Sequence, residues 1–261
     1  MKNITKIVDF KRYSSIKIGP QLDVLIINEI GDYSEYQIIG RANNLLVSPN
    51  TTKKFAILGE EFDYIKQEGN LLYVGCATTS GKLLTYTRKN DIANLEFIAK
   101  LPGNLGGLVK MNAGLKSWEM FNYIHSIKTK DGYIKKEDVD YSYRRTKIDT
   151  IVYEVVFNIE YGFCKEKLKE FNKMRDNQPH MPSAGSCFKN PENDFAGRLI
   201  QEIGLKGYKK GDMSFSKEHA NFLVNEGEGT FEDAIYLIDL AKNKIKEQFN
   251  IDIHEEIIVY K

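Results

Sequence analysis

"TIVYEVVFNIEYGFCKEKLKEFNKMRDN", residues 150–177, changes its period in the middle. Up to Gly162 it is dense in β-branched and aromatic residues, the composition of a buried strand. From Lys165 onward, Leu168, Phe171 and Met174 recur at helical spacing. Upstream of this change, residues 35–40, 53–59 and 70–75 are short apolar runs that end at or near a glycine, and 124–132 ends in a turn signal. Residues 80–90 read as a helix among them. Downstream, residues 193–207 read as a helix capped by Asp194 and stopped at Gly204, with Phe195, Ala196, Leu199, Ile200 and Ile203 on one stripe. Residues 230–249 form a stronger one, capped by Thr230, with Ala234, Ile238, Ala241 and Ile245 turned inward. The terminal residues 250–261 read as a strand. Strands followed by a helix-richer unit predict an α+β chain with a boundary near residue 163. The last strand lacks a strand-rich neighbour and is expected to return to the first domain.

Composition narrows the class. With 42% hydrophobic and 28% charged residues in 261, the chain is a globular protein with a sizeable core. A net charge of +1 gives no bulk attraction to nucleic acid or membrane, and no apolar run reaches the roughly 20 residues of a bilayer span. Three cysteines, Cys76, Cys164 and Cys187, form no metal-spaced pair and suggest reduced thiols in the cytoplasm. The four histidines make no HxxxH or HExxH pattern, so no protein-bound metal is expected.

Four stretches could carry chemistry. "LPGNLGGLVKMNAG" (101–114) brings Gly103, Gly106 and Gly107 where backbone N–H groups could approach an anion, although it is neither a Walker A loop nor a GxGxxG fingerprint. "GRANNLL" (40–46) follows a strand and offers small residues and amide side chains suited to a pyrophosphate. In "YSYRRTK" (141–147) one arginine turned inward would match a carboxylate, and the residues do not choose between Arg144 and Arg145. Near the C-terminus either Glu255 or Glu256 could face a site. "PSAGSCFKNP" (182–191) places Ser186 and Cys187 side by side, but without the GxSxG elbow of a nucleophile or a nearby resolving cysteine.

Taken in order, "GRANNLL", "LPGNLGGLVKMNAG", "YRRT", "AGSCFKNP", "AGRLIQEIGLKG", "SKEHANFLVN" and a terminal Glu before a branched residue resemble the UDP-N-acetylenolpyruvoylglucosamine reductases from about Ser15 to Ile257. The resemblance implies a two-lobed FAD-binding domain of the PCMH/VAO-like type over 1–162, completed by 251–261, followed by a smaller α+β substrate-binding domain over 163–250. It implies FAD cradled by Gly40, Arg41, Ala42, Asn43, Asn44 and Leu45 together with Pro102, Gly103, Asn104, Gly106, Gly107, Asn112, Ala113 and Gly114. NADPH would reduce the flavin, and the enolpyruvyl group of UDP-N-acetylglucosamine enolpyruvate would be reduced to give UDP-N-acetylmuramate. By motif, Ser186 is the proton donor, Arg144 holds the substrate carboxylate and Glu256 is the terminal catalytic glutamate; Tyr143, Lys189 and Asn190 are substrate contacts. The implied enzyme is cytoplasmic and is expected to act as a monomer.

Three departures from the family pattern stand out. The stretch between 14–20 and 38–44 is short, Arg41 and Ala42 are bulkier than usual, and Asn177 stands where a diphosphate-binding lysine is common. No insertion follows 155–162, which resembles the shorter family type without a covering tyrosine loop and implies an open site that closes by domain movement. A silent nucleotide-sugar sensor, or another FAD oxidoreductase of the same superfold, are the competing readings. The first could dispense with Ser186, Arg144 and Glu256, and the second with "GSCFKNP".

Overall fold

A computed structural model describes residues 2–261. The chain divides into two compact units, each with its own apolar core. The first takes residues up to Lys6, Asp23–Arg41 and Lys54–Asp176; the second takes Ile7–Leu22, Ala42–Lys53 and Asn177–Lys261.

The first unit is built on a five-stranded antiparallel sheet in the order Gly132–Lys135, Ile124–Thr129, Glu154–Asn158, Leu71–Gly75, Ile65–Glu68. Strand side chains alternate between faces, so Leu72, Val74, Val155, Phe157 and Ile127 fall on one side and are almost wholly buried. Leu83 of the helix Ser80–Lys89 and Leu105, Leu108 and Val109 of the helix Leu105–Lys110 belong to the same core. On the other face Glu154 is 6% exposed, and the hydroxyls of Tyr64 and Tyr133 each donate to it at 2.6 Å. A buried carboxylate is tolerated there because both oxygens are hydrogen-bonded. Burial, reinforced by that carboxylate, raises both tyrosine pKa values. Gly75 ends its strand for a steric reason: a Cβ there would lie 2.1 Å from the Phe62 carbonyl oxygen.

The second unit carries a sheet in the order Ser183–Ser186, Phe222–Asn225, Met213–Phe215, Lys209–Lys210. The helix Phe231–Phe249 buries the predicted stripe of Ala234, Ile238, Ala241 and Ile245 in the same core, and Leu237 with it. Thr230 caps it, its hydroxyl accepting the Asp233 N–H at 3.1 Å.

Several boundaries differ from expectation. The helix Lys165–Lys173 lies in the first unit rather than beyond a break at 163, because Phe171 finds Trp118 there, ring to edge at 5.0 Å. The terminal strand covers only Ile258–Tyr260 and pairs in parallel with Leu45–Val47. It does join a strand from the first third of the chain, but both belong to the second unit, where Leu46 is core. The helix predicted at 193–207 spans Ala196–Glu202, and Phe195 is 68% exposed instead of buried. Asp194 accepts the Phe195 N–H and pairs with Arg198, which holds its carboxyl down at a pKa of about 2. Among the described residues no helix is long and apolar enough to cross a membrane, and no cluster of His, Cys, Asp and Glu has metal-binding geometry.

Thr230→Ala removes the cap of the longest helix, and urea denaturation should show a loss of about 1 kcal/mol, within the usual ~0.5–2 kcal/mol. An unchanged midpoint would mean the cap is redundant.

Candidate active site

In the first unit the glycine-rich segment 101–114 is laid against residues 76–80. The Ser80 N–H donates to the Gly103 carbonyl at 3.0 Å, the Leu105 N–H to Thr78 at 2.9 Å and the Gly106 N–H to Cys76 at 3.0 Å. The two adjacent glycines serve different ends. A Cβ on Gly106 would press on Cys76 at 3.2 Å, whereas one on Gly107 would meet nothing within 4 Å. Gly106 therefore permits close packing and Gly107 leaves an open surface. Between them and Gly40, Asn104 carries a buried Oδ1 with no hydrogen-bond partner in the protein. Such an acceptor costs about 1–3 kcal/mol unless something supplies a donor. An open glycine face beside an unmatched acceptor fits a polar cofactor rather than a plain turn.

The same segment continues into the arginine site. Arg144 sits in the turn of a short hairpin (Tyr141–Ser142 with Arg145–Thr146), at φ 53°, a left-handed backbone rare for a residue with a side chain. Its guanidinium donates to the Gly114 carbonyl at 2.7 Å and the Asn112 carbonyl at 3.3 Å, lies 3.5 Å from a Glu119 carboxylate oxygen and covers the Tyr143 ring at 4.8 Å. Arg145 is exposed. The fold thus makes the choice that the paired arginines leave open. Asn112 joins the two halves: Nδ2 donates to Glu119 at 2.8 Å and to the Ser142 carbonyl at 3.1 Å, while Oδ1 accepts the Phe121 N–H at 3.1 Å.

Members of the expected cofactor set differ in what they already contact. Asn112 is 0% exposed and its side chain is committed to protein partners. Gly114 is required because a Cβ would fall 2.1 Å from the Trp118 carbonyl oxygen. Ala113 is buried with them. In the second unit, Ala42 is 2% exposed and its carbonyl accepts the Ser15 N–H, and Leu45 is paired with Ile258. The Asn44 side chain donates to the Glu256 carbonyl at 2.9 Å. Gly40, Arg41, Asn43, Pro102, Gly103, Asn104 and Gly107 keep accessible surface.

The second unit holds the serine and the glutamate on one frame. Ser186 stands opposite Phe222, after a register shift in the pairing of Ser183–Ser186 and a Gly185 at φ 79°. The next carbonyl, that of Cys187, accepts the N–H of Glu256 at 2.8 Å and of Ile257 at 3.3 Å. Lys189 N–H donates to His254 at 2.9 Å, and the exposed Asn190 uses its Oδ1 on the Ala196 N–H at 3.1 Å. The two carboxylates are told apart by their partners. Glu255 pairs with Lys242 at 2.9 Å; burial opposes its ionisation, but the lysine, a backbone N–H and nearby His254 together lower its pKa. Cys187 is 1% exposed, and burial with help from both glutamates pushes its thiol well up, which makes it unreactive.

Ser186 and Glu256 are therefore brought together by backbone in one unit, and Arg144 with its loop in the other. A sequence profile for the C-terminal domain of UDP-N-acetylenolpyruvoylglucosamine reductase matches residues 177–260. The chain is 44% identical over 251 residues to the UDP-N-acetylenolpyruvoylglucosamine reductase of Helicobacter pylori strain J99, covering 96% of both proteins. It belongs to the UDP-N-acetylenolpyruvoylglucosamine reductase family. The Campylobacter jejuni strain RM1221 reductase is 42% identical, with 97% of this chain and 99% of that one aligned. The crystal structure of the Thermus caldophilus reductase superposes with a TM-score of 0.87 at 28% identity over the full length of both chains. The expected fold class holds: a two-lobed PCMH/VAO-like architecture followed by a smaller α+β part, as in the reductases.

Two residues of this reductase site escaped the sequence reading. Glu119 belongs to no motif and becomes visible only as the ion-pair partner of Arg144. Asn221 lies inside "SKEHANFLVN", where nothing in its spacing distinguishes it from a surface turn.

In the native protein at pH 8, iodoacetamide should label Cys164, which is half-buried, and leave Cys76 and Cys187 until unfolding. Mass spectrometry checks this; fast native labelling of Cys187 would show that the thiol is available for chemistry.

Proposed function

We propose that this chain is a cytoplasmic, FAD-dependent reductase that uses NADPH to convert UDP-N-acetylglucosamine enolpyruvate into UDP-N-acetylmuramate, a step of peptidoglycan precursor synthesis. The observation that carries this reading is the 44% identity over 96% of a relative bearing the reductase name. Residues at Ser186, Arg144 and Glu256 of the types the chemistry needs favour an enzyme over a silent sensor.

Gly40, Arg41, Pro102, Gly103, Asn104 and Gly107 would hold the cofactor, and the unmatched Asn104 Oδ1 gives it an acceptor to satisfy. When bound, FAD supplies hydride chemistry that no side chain can provide. The protein's own part is to bind the enolpyruvyl ether and manage charge and protons. As a hydride adds at the substrate's β-carbon, negative charge spreads over the α-carbon and carboxylate. Arg144 meets that carboxylate with a planar fork, and Glu256 lies on the same backbone frame as Ser186. The Ser186 hydroxyl gives its proton to the α-carbon. A serine is a weak acid, but the developing carbanion is strongly basic, so position matters more than pKa. No base and no elbow are needed for a serine that gives a proton away. Tyr143, Lys189 and Asn190 are assigned to the rest of the substrate, with Tyr143 also lying under the Arg144 guanidinium.

Purified protein should be yellow and release FAD on denaturation; a colourless protein that cannot be reconstituted with FAD would end this reading. In Ser186→Ala, NADPH should still bleach the flavin while reoxidation by the enolpyruvyl substrate slows roughly 10²–10⁴-fold in stopped flow. Unchanged reoxidation would remove Ser186 as the acid.

Arg144→Lys keeps the charge but loses the fork, so kcat/KM for the enolpyruvyl substrate should fall about 10–100-fold, the equivalent of one charged hydrogen bond of ~1.5–3 kcal/mol. Steady-state kinetics at saturating NADPH reads it directly, and wild-type values would move the carboxylate contact elsewhere.

A further inference from the structure

The backbone that follows Ser186 leaves its sheet at once, and its polar groups must find partners away from a regular ladder. One residue supplies most of them. The Cys187 N–H donates to the Asn221 carbonyl at 2.7 Å, the Phe188 N–H to Asn221 Oδ1 at 3.0 Å, and Asn221 Nδ2 to the Phe188 carbonyl at 2.8 Å. Phe188 is 0% exposed and Asn221 4%, so water cannot replace these bonds. The primary amide of Asn221 copies the donor and acceptor of a peptide group and extends the ladder beyond the last strand pair, Ser186 with Phe222. From the opposite side, Glu256 and Ile257 donate to the Cys187 carbonyl, and Phe188 bridges Glu255. Residues 187–188 are thus clamped between Asn221 and the segment that carries Glu256, one residue beyond Ser186.

We propose that Asn221 is a positioning residue of the reductase: its side-chain amide clamps Phe188, beside the bond that its backbone carbonyl accepts from Cys187, and so fixes where Ser186 and the Glu256 backbone lie relative to each other. This rests on the proposed role of Ser186. Asp at this position keeps the acceptor and loses the donor, Ser is too short for either bond, and Gln is one methylene too long. The amide is therefore specific in both chemistry and length.

The test uses the FAD-loaded holoenzyme of wild type, Asn221→Asp and Asn221→Ser, measured in three ways. FAD content and the rate of flavin reduction by NADPH should match wild type. Reoxidation by the enolpyruvyl substrate should slow about 10–100-fold, with kcat falling more than KM rises. Its solvent deuterium isotope effect should grow as proton delivery becomes limiting, which a general loosening of the fold would not produce. In hydrogen–deuterium exchange, the amides of Cys187 and Phe188 should be among the protected ones in wild type, and that of Phe188 should exchange faster in Asn221→Ser, which lacks its acceptor. Faster exchange with reoxidation within threefold of wild type would overturn the proposal, as would equal slowing of both half-reactions. If neither variant folds, rapid exchange of these two amides in wild type would itself overturn the clamp. Exchange needs no substrate, so a wild type that the enolpyruvyl compound fails to reoxidise would discredit the functional reading and leave the clamp measured separately.

Discussion

The peptide unit at Cys187 has both of its hydrogen-bonding groups committed to other segments of the chain. Its N–H is given to Asn221, and its carbonyl takes N–H groups from Glu256 and Ile257. In a buried place these obligations cannot be met by water, and each unmet one would cost about 1–3 kcal/mol. The second unit is arranged around meeting them. The strand Phe222–Asn225 supplies the ladder up to Ser186, Asn221 continues it, and the C-terminal segment closes the other side before pairing with Leu45–Val47. Asn44 adds to the closure by donating to the Glu256 carbonyl. The serine and the glutamate reach their places because backbone satisfaction leaves the chain little alternative.

The first unit meets a different constraint, that of holding the Arg144 cation in one place. Carbonyl dipoles from Asn112 and Gly114 take part of the Arg144 donor capacity, and Glu119 supplies nearby negative charge. Asn112 then ties Glu119 to the hairpin that carries Arg144. A long flexible side chain loses rotamer freedom when it is ordered, and here the contacts of the fold supply that order. The left-handed backbone at Arg144 belongs to the same arrangement, since roughly 1–2 kcal/mol of conformational cost persists only where the surroundings enforce it.

Much of the fold could be read from local pattern. The helix Phe231–Phe249 begins at its Thr230 cap and buries the residues its period predicts, and the strands at 71–75, 124–129 and 154–158 lie where β-branched and aromatic runs place them. Errors came where a local signal competes with packing. Phe195 fits the apolar stripe of its helix yet precedes the first turn and faces solvent. The helix Lys165–Lys173 follows a change of period, which suggests a boundary, but its one buried residue, Phe171, packs on Trp118 of the first unit.

The sequence by itself determined most of the elements and the family, and the resemblance nominated Ser186, Arg144 and Glu256, because periodicity, caps and linear motifs are properties of neighbouring residues. Only the tertiary structure decided which of two arginines turns inward on grounds of contact, which of two glutamates is bound to a lysine, and that Glu119 and Asn221 support the residues beside them. Those choices depend on partners far away in the chain, 33 positions in the case of Asn221 and Phe188. A hydrogen-bonding obligation is written at one residue, but the group that meets it is set by how the chain folds back.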